Sequence, residues 1–280
     1  MNSHRSGLVL ECFFFALAAL CLWASFHEPG PGRMPFQPEL RAPGGLRVMS
    51  WNVGTGMDAG AEGLRNEDLE HVASVLEALD PDLVFLQELT GSFQLRGLSE
   101  LLGESWSFEM RRIGSGRTLG LLAQRGELRE LDSSFLERAH ALEYISSEGR
   151  RVQCVGLHAD AFSALERNRC IGRAADLLHR LGQDSRTLLA GDLNLDLDLD
   201  KRRDLFTDDQ NLDLETYNFL AERMWDAGLG SGATAKPDRR IDYVFVGKSG
   251  FEVLQAGPIL GERAPGMDHH PLLVDLSYRD

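Results

Sequence analysis

The chain has 280 residues, of which 43% are hydrophobic and 26% charged, a composition typical of a globular protein with one large domain or two small ones. The formal net charge is −14, and residues 1–45 contribute three arginines and three glutamates, so the acidic excess belongs to the remainder. This excess argues against tight non-specific binding to nucleic acid, which depends on lysine and arginine. It does not exclude a nuclease, because the local field in a cleft can differ from the overall charge.

The first 45 residues differ in character from the rest. Residues 7–26 are apolar apart from Glu11 and Ser25, and their number is close to the ~20 residues that span a bilayer. Signal cleavage after Ala24 or Ser25 would require a small residue two positions earlier, and a large one stands there in both cases. Residues 1–26 are therefore predicted to be a retained anchor rather than a cleaved signal peptide. Arg5 on the short leading side predicts an extracytoplasmic body, membrane-anchored or, after cleavage, secreted. Residues 27–45, with five prolines and four glycines, predict a flexible or extended tether.

The body, residues 46–280, alternates apolar runs with helical patterns and shows no internal repeat. In chain order, we predict a strand at 46–53, a helix from Asn66 to Leu79, and strands at 83–86, 106–112, 118–124 and 151–157. A helix at 164–181, a strand ending at Gly191, a helix around Tyr217, Leu220 and Met224, and strands at 241–246, 251–260 and 272–276 follow. Many strands with interspersed helices predict one α/β or α+β domain.

Polar side chains follow several of these apolar runs. Asp192 and Asn194 come directly after Gly191, and residues two apart in an extended segment point to the same side. The carboxylate could accept a proton while the amide donates to an oxyanion, an arrangement suited to holding a water beside a phosphate. A simple turn is the alternative, because Asp, Asn and Gly are common in turns. That alternative is disfavoured because polar groups also lie at one or the other end of further predicted strands, at Asn52, Glu88, His158, Asp242 and Asp268-His269.

Taken in order, these segments resemble motifs of the endonuclease/exonuclease/phosphatase superfamily between Val48 and Leu276. The matching segments are Ser50-Trp-Asn52, Asp82 to Gln87-Glu88, Gly120–Arg125, Leu157-His158, Gly191-Asp-Leu-Asn194, Arg240-Ile-Asp-Tyr243 and Asp268-His269. Leu193 and Met267 depart from the family pattern at supporting positions, and Leu157 and Ala159 flank His158 atypically. The resemblance implies an α/β fold, a four-layer sandwich in which two facing mixed β-sheets are flanked by helices.

The resemblance also implies a divalent ion, Mg²⁺ with Mn²⁺ or Ca²⁺ as substitutes, held by Glu88 with help from Asn52 and Asp268. Oxygen ligands of this kind suit a hard cation. Arg169 matches a helix arginine of the family and is predicted to contact substrate, although Gly172 replaces the glutamine expected three residues later.

The same resemblance implies the catalytic groups. His269, oriented by Asp242, would act as base or as a donor to the phosphate, and His158 would be the general acid or a phosphate contact. Asp192 and Asn194 would position the attacking water. His71, His140 and His179 lie in no motif and are predicted to be surface or helix-face residues.

The resulting hypothesis is a monomeric metal-dependent phosphoesterase that hydrolyses a phosphodiester by direct attack of water. The substrate stays open between nucleic acid, lipid and small molecule. An extracytoplasmic nuclease and a lipid or inositol phosphate phosphatase are the narrower alternatives, the second being compatible with a membrane contact through the N-terminal segment. A catalytically dead binding module of the same fold is the non-enzymatic alternative.

Overall fold

The computed structural model describes residues 36–54, 66–181, 186–197, 207–263 and 266–279. The predicted anchor at residues 1–26 and the first part of the tether lie outside these ranges. Within them, no helix combines the length and apolar character needed to cross a bilayer. Residues 36–45 contain no helix or strand, and Phe36 packs against the body at Gly257. The predicted boundary at residue 46 stays a prediction.

The strands form two mixed sheets of six strands each. The strands are β1 (Leu46–Asn52), β2 (Leu83–Leu89), β3 (Trp106–Arg112), β4 (Thr118–Gln124), β5 (Gly126–Glu130), β6 (Ala139–Ser146), β7 (Arg151–His158), β8 (Thr187–Asp192), β9 (Met224–Asp226), β10 (Asp242–Gly247), β11 (Phe251–Pro258) and β12 (Leu272–Tyr278). The first sheet has the order β11-β12-β1-β2-β4-β3, and the second β5-β6-β7-β8-β10-β9. Only the central pairs β1–β2 and β7–β8 are parallel within these sheets.

Four helices belong to the described part of the chain: α1 (Asn66–Leu79), α2 (Ser92–Leu102), α3 (Ala164–Leu181) and α4 (Gln210–Arg223). Successive side chains of a strand point to opposite faces, so each sheet buries two different sets of apolar residues. In β1, Val48 joins a core shared with Cys154 and Val244 of the second sheet, whereas Met49 joins a core shared with α1 and α2. A third core joins the second sheet to α3 and α4. The predicted four-layer α/β sandwich is therefore confirmed.

Several elements were absent from the sequence prediction. Strands β5 and β6 and helix α2 were not predicted, and Met224 begins β9 instead of continuing the helix. Strand β5 is an edge strand of sequence GELRE with little apolar character, and β6 places His140 and Glu143 among its apolar residues. Polar residues in these strands conceal the alternation on which strand prediction depends.

The topology brings the polar strand ends to one edge of the sandwich. Asn52, Glu88, His158 and Asp192 lie at or near the carboxyl ends of the parallel strands β1, β2, β7 and β8. The antiparallel strand β10 starts at that edge with Asp242, and β12 starts three residues after His269. Side chains separated by more than a hundred residues in sequence can consequently meet.

A buried ion pair ties the helices of the second sheet to the segment that follows β7. The guanidinium of Arg167 is fully buried and donates from Nε and Nη2 to the two carboxylate oxygens of Asp213, at 2.8 Å each. Its Nη1 donates to the carbonyl of Asp160 at 2.9 Å, two residues after His158. Arg167 thereby joins α3 and α4 to the backbone beside the strand-end residues.

We expect Arg167→Ala to lower the free energy of unfolding by about 3–5 kcal/mol, because it leaves the carboxylate of Asp213 buried without its cation. Arg169→Ala is the matched control two residues along the same helix, where an exposed arginine pairs with Glu166. Its expected cost is at most about 0.5 kcal/mol, as for exposed helical ion pairs. Urea titration of both variants measures the difference, and equal losses would show that the buried pair has no special role.

Candidate active site

Glu88 owes its position to a β-bulge in β2. Leu86 pairs with Gly120 and Leu89 with Thr118, so Gln87 and Glu88 together oppose the single residue Leu119. Glu88 has φ 63°, in the left-handed region that non-glycine residues occupy at a cost of about 1–3 kcal/mol. A bulge re-aims side chains in this way. Here it directs the carboxylate of Glu88 to the strand ends instead of the face of the sheet.

Three side chains surround the carboxylate of Glu88. Oε1 lies 3.2 Å from Nδ2 of Asn52 and 3.5 Å from Nε2 of His158, while Oε2 lies 3.9 Å from Nε of Arg117. Gly54 passes so close that an added Cβ would overlap the carboxylate. The backbone at Gly54, two residues after β1, therefore forms a wall of the site that no other residue type could provide without moving Glu88.

The amide of Asn52 links carboxylates from the two sheets. Its Nδ2 donates to Oε1 of Glu88 and, at 3.0 Å, to Oδ2 of Asp192. Its Oδ1 accepts from the backbone N–H of Gly54 at 2.9 Å. Asn52 thus presents donors to the carboxylates, whereas a metal ligand would use its oxygen. Its role as a ligand stays a prediction.

Asp192 and Asn194 are neighbours, but for a different reason from the one predicted. Strand β8 ends at Asp192, and Asn194 has φ 51°, so the segment between them is not extended. Oδ1 of Asp192 accepts from the backbone N–H of Asn194 at 3.0 Å, and Nδ2 of Asn194 donates to the carbonyl of Ala159 at 3.3 Å. The expectation that both side chains share one face of a strand was wrong. A tight turn holds Asp192 and ties Asn194 to the segment after His158.

His269 is held by a carboxylate on one side and faces others on the opposite side. Its Nδ1 lies 2.8 Å from Oδ2 of the fully buried Asp242. Its Nε2 lies 3.8 Å from Oδ2 of Asp192 and 3.9 Å from Oδ1 of Asp268. Burial alone would lower the pKa of His269, but Asp242, Asp192 and Asp268 together raise that pKa to about 10. The surrounding carboxylates thus favour the charged form of the ring, and its Nε2 faces Asp192 and Asp268.

His158 lies between the two carboxylates that Asn52 links. Its Nε2 is 3.5 Å from Oε1 of Glu88 and 3.7 Å from Oδ2 of Asp192. The side chain is almost completely buried, and Nδ1 forms no hydrogen bond with a described residue. The ring is therefore placed to exchange a proton through Nε2 at the point where both sheets meet.

Two predicted residues lie in more open surroundings. The side chain of Asp268 is 43% exposed and reaches the site only at the 3.9 Å approach to His269. Arg169 lies on α3, is 56% exposed and donates to Glu166 at 2.7 Å, one helical turn away. The predicted substrate contact of Arg169 stays a prediction, and the structure gives its guanidinium a partner on its own helix.

Two residues were misjudged or missed. His140 is 1% exposed and lies in strand β6, so its prediction as a surface or helix-face residue was wrong; burial lowers its pKa to about 4. Arg117 approaches Glu88 although no motif includes it. The signal available in the sequence was the turn at residues 113–117, because a hairpin strand that pairs antiparallel with β2 must begin at the edge where β2 ends.

The donor set fits a divalent cation. Ligand atoms of Asp192, Asp242 and His269 lie within 4.8 Å of one another, although a protonated His269 offers no lone pair to an ion. The oxygen donors are the carboxylates, and Nδ2 of Asn52 links those of Glu88 and Asp192. Carboxylates so close repel one another, and a cation between them relieves that repulsion. A partly open site rich in oxygen donors suits a hard ion that keeps some of its waters.

The fold is similar to that of several solved structures. An endonuclease/exonuclease/phosphatase from Beutenbergia cavernae shares 23% identity over 84% of this chain and 72% of its own, with a TM-score of 0.62. The human nocturnin catalytic domain with bound sulfate shares 19% identity over 86% and 96%, with a TM-score of 0.62. A mannosyl-6-phosphatase from Bacteroides thetaiotaomicron shares 18% over 83% and 99%, with a TM-score of 0.60. At such identities the likeness establishes the fold alone.

No match is found among the curated proteins. The sequence model of the endonuclease/exonuclease/phosphatase family, however, matches residues 49–264, which extend from the second half of β1 through β11 and include most of the strand-end residues. With the fold and the sequence match in agreement, this chain belongs to the endonuclease/exonuclease/phosphatase family.

Proposed function

We propose that this protein is a metal-dependent phosphoesterase that hydrolyses a phosphodiester by direct attack of water. The observation that carries the proposal is the meeting of Glu88, Asn52, His158 and Asp192 from four strands, with neighbouring polar atoms 3.0–3.7 Å apart. Carboxylates, an amide and an imidazole are the groups that water-mediated phosphate hydrolysis requires. A catalytically dead binding module would have no need to keep all of them in one place.

We propose that Glu88, with Asn52 and Asp268, holds the divalent ion, and that Mg²⁺ is the natural one. When bound, such an ion neutralises the phosphate and stabilises charge on the leaving oxygen. The conformation of Asn52 that presents its oxygen would then replace the one in which it donates to both carboxylates.

The remaining groups have complementary tasks. Asp192 accepts a proton from the attacking water as the new P–O bond forms. Protonated His269 donates through Nε2 to a phosphate oxygen, while Asp242 keeps the proton on Nδ1 and fixes the ring. His158 gives its Nε2 proton to the leaving oxygen as the old P–O bond breaks. Asn194 serves indirectly, because its backbone N–H orients Asp192.

The substrate class is proposed more broadly. One structural neighbour was solved with bound sulfate and another is described as a mannosyl-6-phosphatase, which supports a phosphate-type substrate on this fold. A nuclease and a lipid or inositol phosphate phosphatase remain the narrower alternatives. An extracytoplasmic location with a membrane anchor is part of the proposal, and it rests on residues 1–45 of the sequence alone.

The test uses the full chain in detergent with bis-p-nitrophenyl phosphate as a generic diester. We expect p-nitrophenol release with Mg²⁺ and its loss on addition of EDTA, restored by excess Mg²⁺. Parallel assays with p-nitrophenyl phosphate compare diester with monoester. Release that persists in EDTA would contradict the metal requirement, and no release from either ester with Mg²⁺, Mn²⁺ or Ca²⁺ would contradict the proposed function.

A further inference from the structure

The turn between β3 and β4 fixes the backbone of Arg117 beside the bulge of β2. The N–H of Ile113 donates to the carbonyl of Arg117 at 2.9 Å, and the N–H of Gly114 donates to the carbonyl of Glu137 at 3.0 Å. Thr118, the next residue, pairs with Leu89, which follows Glu88. Arg117 thus has a set position next to the catalytic edge, even though the turn itself is exposed.

The guanidinium of Arg117 has no hydrogen-bonded partner among the described residues. Its Nε lies 3.9 Å from Oε2 of Glu88, which is beyond hydrogen-bonding distance. Arg138 and Arg240, by comparison, each donate to an aspartate at 2.5 Å. The side chain of Arg117 is 34% exposed, so its donors are available to a ligand that reaches Glu88 from solvent.

The two oxygens of Glu88 differ in their surroundings. Oε1 is engaged by Asn52 and His158, whereas Oε2 faces Arg117. A guanidinium has a planar fork that matches two phosphate oxygens, which makes arginine well suited to a phosphate at this place. The same positive charge, while it remains beside Glu88, also opposes the approach of a divalent cation to that carboxylate.

We propose that Arg117 binds the substrate phosphate and, when substrate is absent, stays beside Glu88, so that phosphate and divalent ion bind cooperatively. The inference rests on the proposed function, since it takes Glu88 as an ion ligand. Phosphate draws the guanidinium away from Glu88 and so strengthens ion binding. By linkage, the ion must strengthen phosphate binding by the same factor.

The test uses the full chain and measures ion affinity and substrate kinetics in separate experiments. With Mn²⁺ as the probe, electron paramagnetic resonance of the free ion should show that Arg117→Gln lowers the Kd of the substrate-free protein about threefold to tenfold, because a repulsive charge is gone. For bis-p-nitrophenyl phosphate, KM should rise about tenfold with kcat changed less than about threefold, as when ground-state binding is lost. Tighter Mn²⁺ binding together with weaker substrate binding distinguishes the proposal from a structural defect, because a defect would weaken the binding of both ion and substrate.

Two further variants sharpen the result. Arg117→Lys keeps the charge and loses the fork, so Kd for Mn²⁺ should stay at the wild-type value while KM still rises. Arg129→Gln is the control, an exposed arginine paired with Glu127 on edge strand β5, and should change neither quantity.

The proposal requires that Arg117→Gln both lowers the Kd for Mn²⁺ and raises KM. If either quantity stays at its wild-type value, cooperative binding through Arg117 is contradicted. Glu88→Gln separates this failure from a wider one. If Glu88→Gln loses Mn²⁺ binding while Arg117→Gln behaves as wild type, only the inference about Arg117 fails. If Glu88→Gln keeps wild-type Mn²⁺ binding and activity, Glu88 is not an ion ligand and the inference fails with it. The proposed function itself fails only if the wild-type protein hydrolyses neither ester with Mg²⁺, Mn²⁺ or Ca²⁺.

Discussion

Glu88→Gln is expected to lower kcat/KM for bis-p-nitrophenyl phosphate by about a thousandfold, a loss near 4 kcal/mol of transition-state stabilisation. The substitution keeps the size of the side chain and the left-handed backbone of the bulge, but it removes the charge that would hold the ion. The amide can still accept from Asn52, so the surrounding hydrogen bonds survive. Initial rates over a range of Mg²⁺ concentrations give the measurement.

Glu127→Gln is the matched control for this variant, because Glu127 is an exposed glutamate on edge strand β5. It should retain wild-type kcat/KM. Urea titration should show that Glu88→Gln is as stable as the wild type or more stable, since one of several neighbouring negative charges has gone. A Glu88→Gln protein that is folded and fully active would remove Glu88 from the site.

Asp242→Asn is expected to lower kcat by about three orders of magnitude, because an amide in place of the carboxylate no longer secures the orientation and protonation state of His269. Asp242 is fully buried and lies 2.8 Å from Nδ1 of that ring. KM should change far less than kcat. Single-turnover rates on the purified variant test the prediction, and a kcat within tenfold of wild type would contradict it.

The same pair predicts how stability depends on pH in the metal-free protein. The carboxylates raise the pKa of His269 in the folded state to about 10, above the ordinary value of 6.5. The resulting stabilisation is fully present below pH 6.5 and is lost as the pH rises towards 10. The stability of wild type relative to Asp242→Asn should therefore decline over this interval. Urea titrations in EDTA at pH 6, 8 and 10 test this, and a constant difference would contradict it.

The strand pattern made the fold predictable. Apolar runs ending in Asn52, Glu88, His158 and Asp192 identify the edge where parallel strands finish, and the spacing of apolar residues located α1 and α3. Strands β5 and β6 were not predicted, because an exposed edge strand and a strand with a buried histidine lack the usual alternation of apolar and polar residues. The local sequence pattern predicts a strand where one face of that strand is apolar. It does not predict a strand that forms only because neighbouring strands pair with it.

The detailed site was less predictable. Glu88 could be identified from the sequence, but the bulge that directs its side chain depends on the pairing of β2 with β4, about thirty residues further along the chain. The donation by Asn52 depends on Asp192 in the other sheet. Arg117 reaches Glu88 only because β4 pairs with β2. Each of these contacts depends on tertiary packing between distant segments, which local sequence patterns do not predict.

The position of β1 has a consequence for biosynthesis. It lies between β2 and β12, and β12 is the last in sequence of the strands in the described ranges. While the ribosome is still synthesising the last segment, β1 has one flank unpaired and His269 has only just been added. The first sheet therefore cannot close around β1 until β12 has emerged, and the strand-end residues reach their final arrangement only after that step.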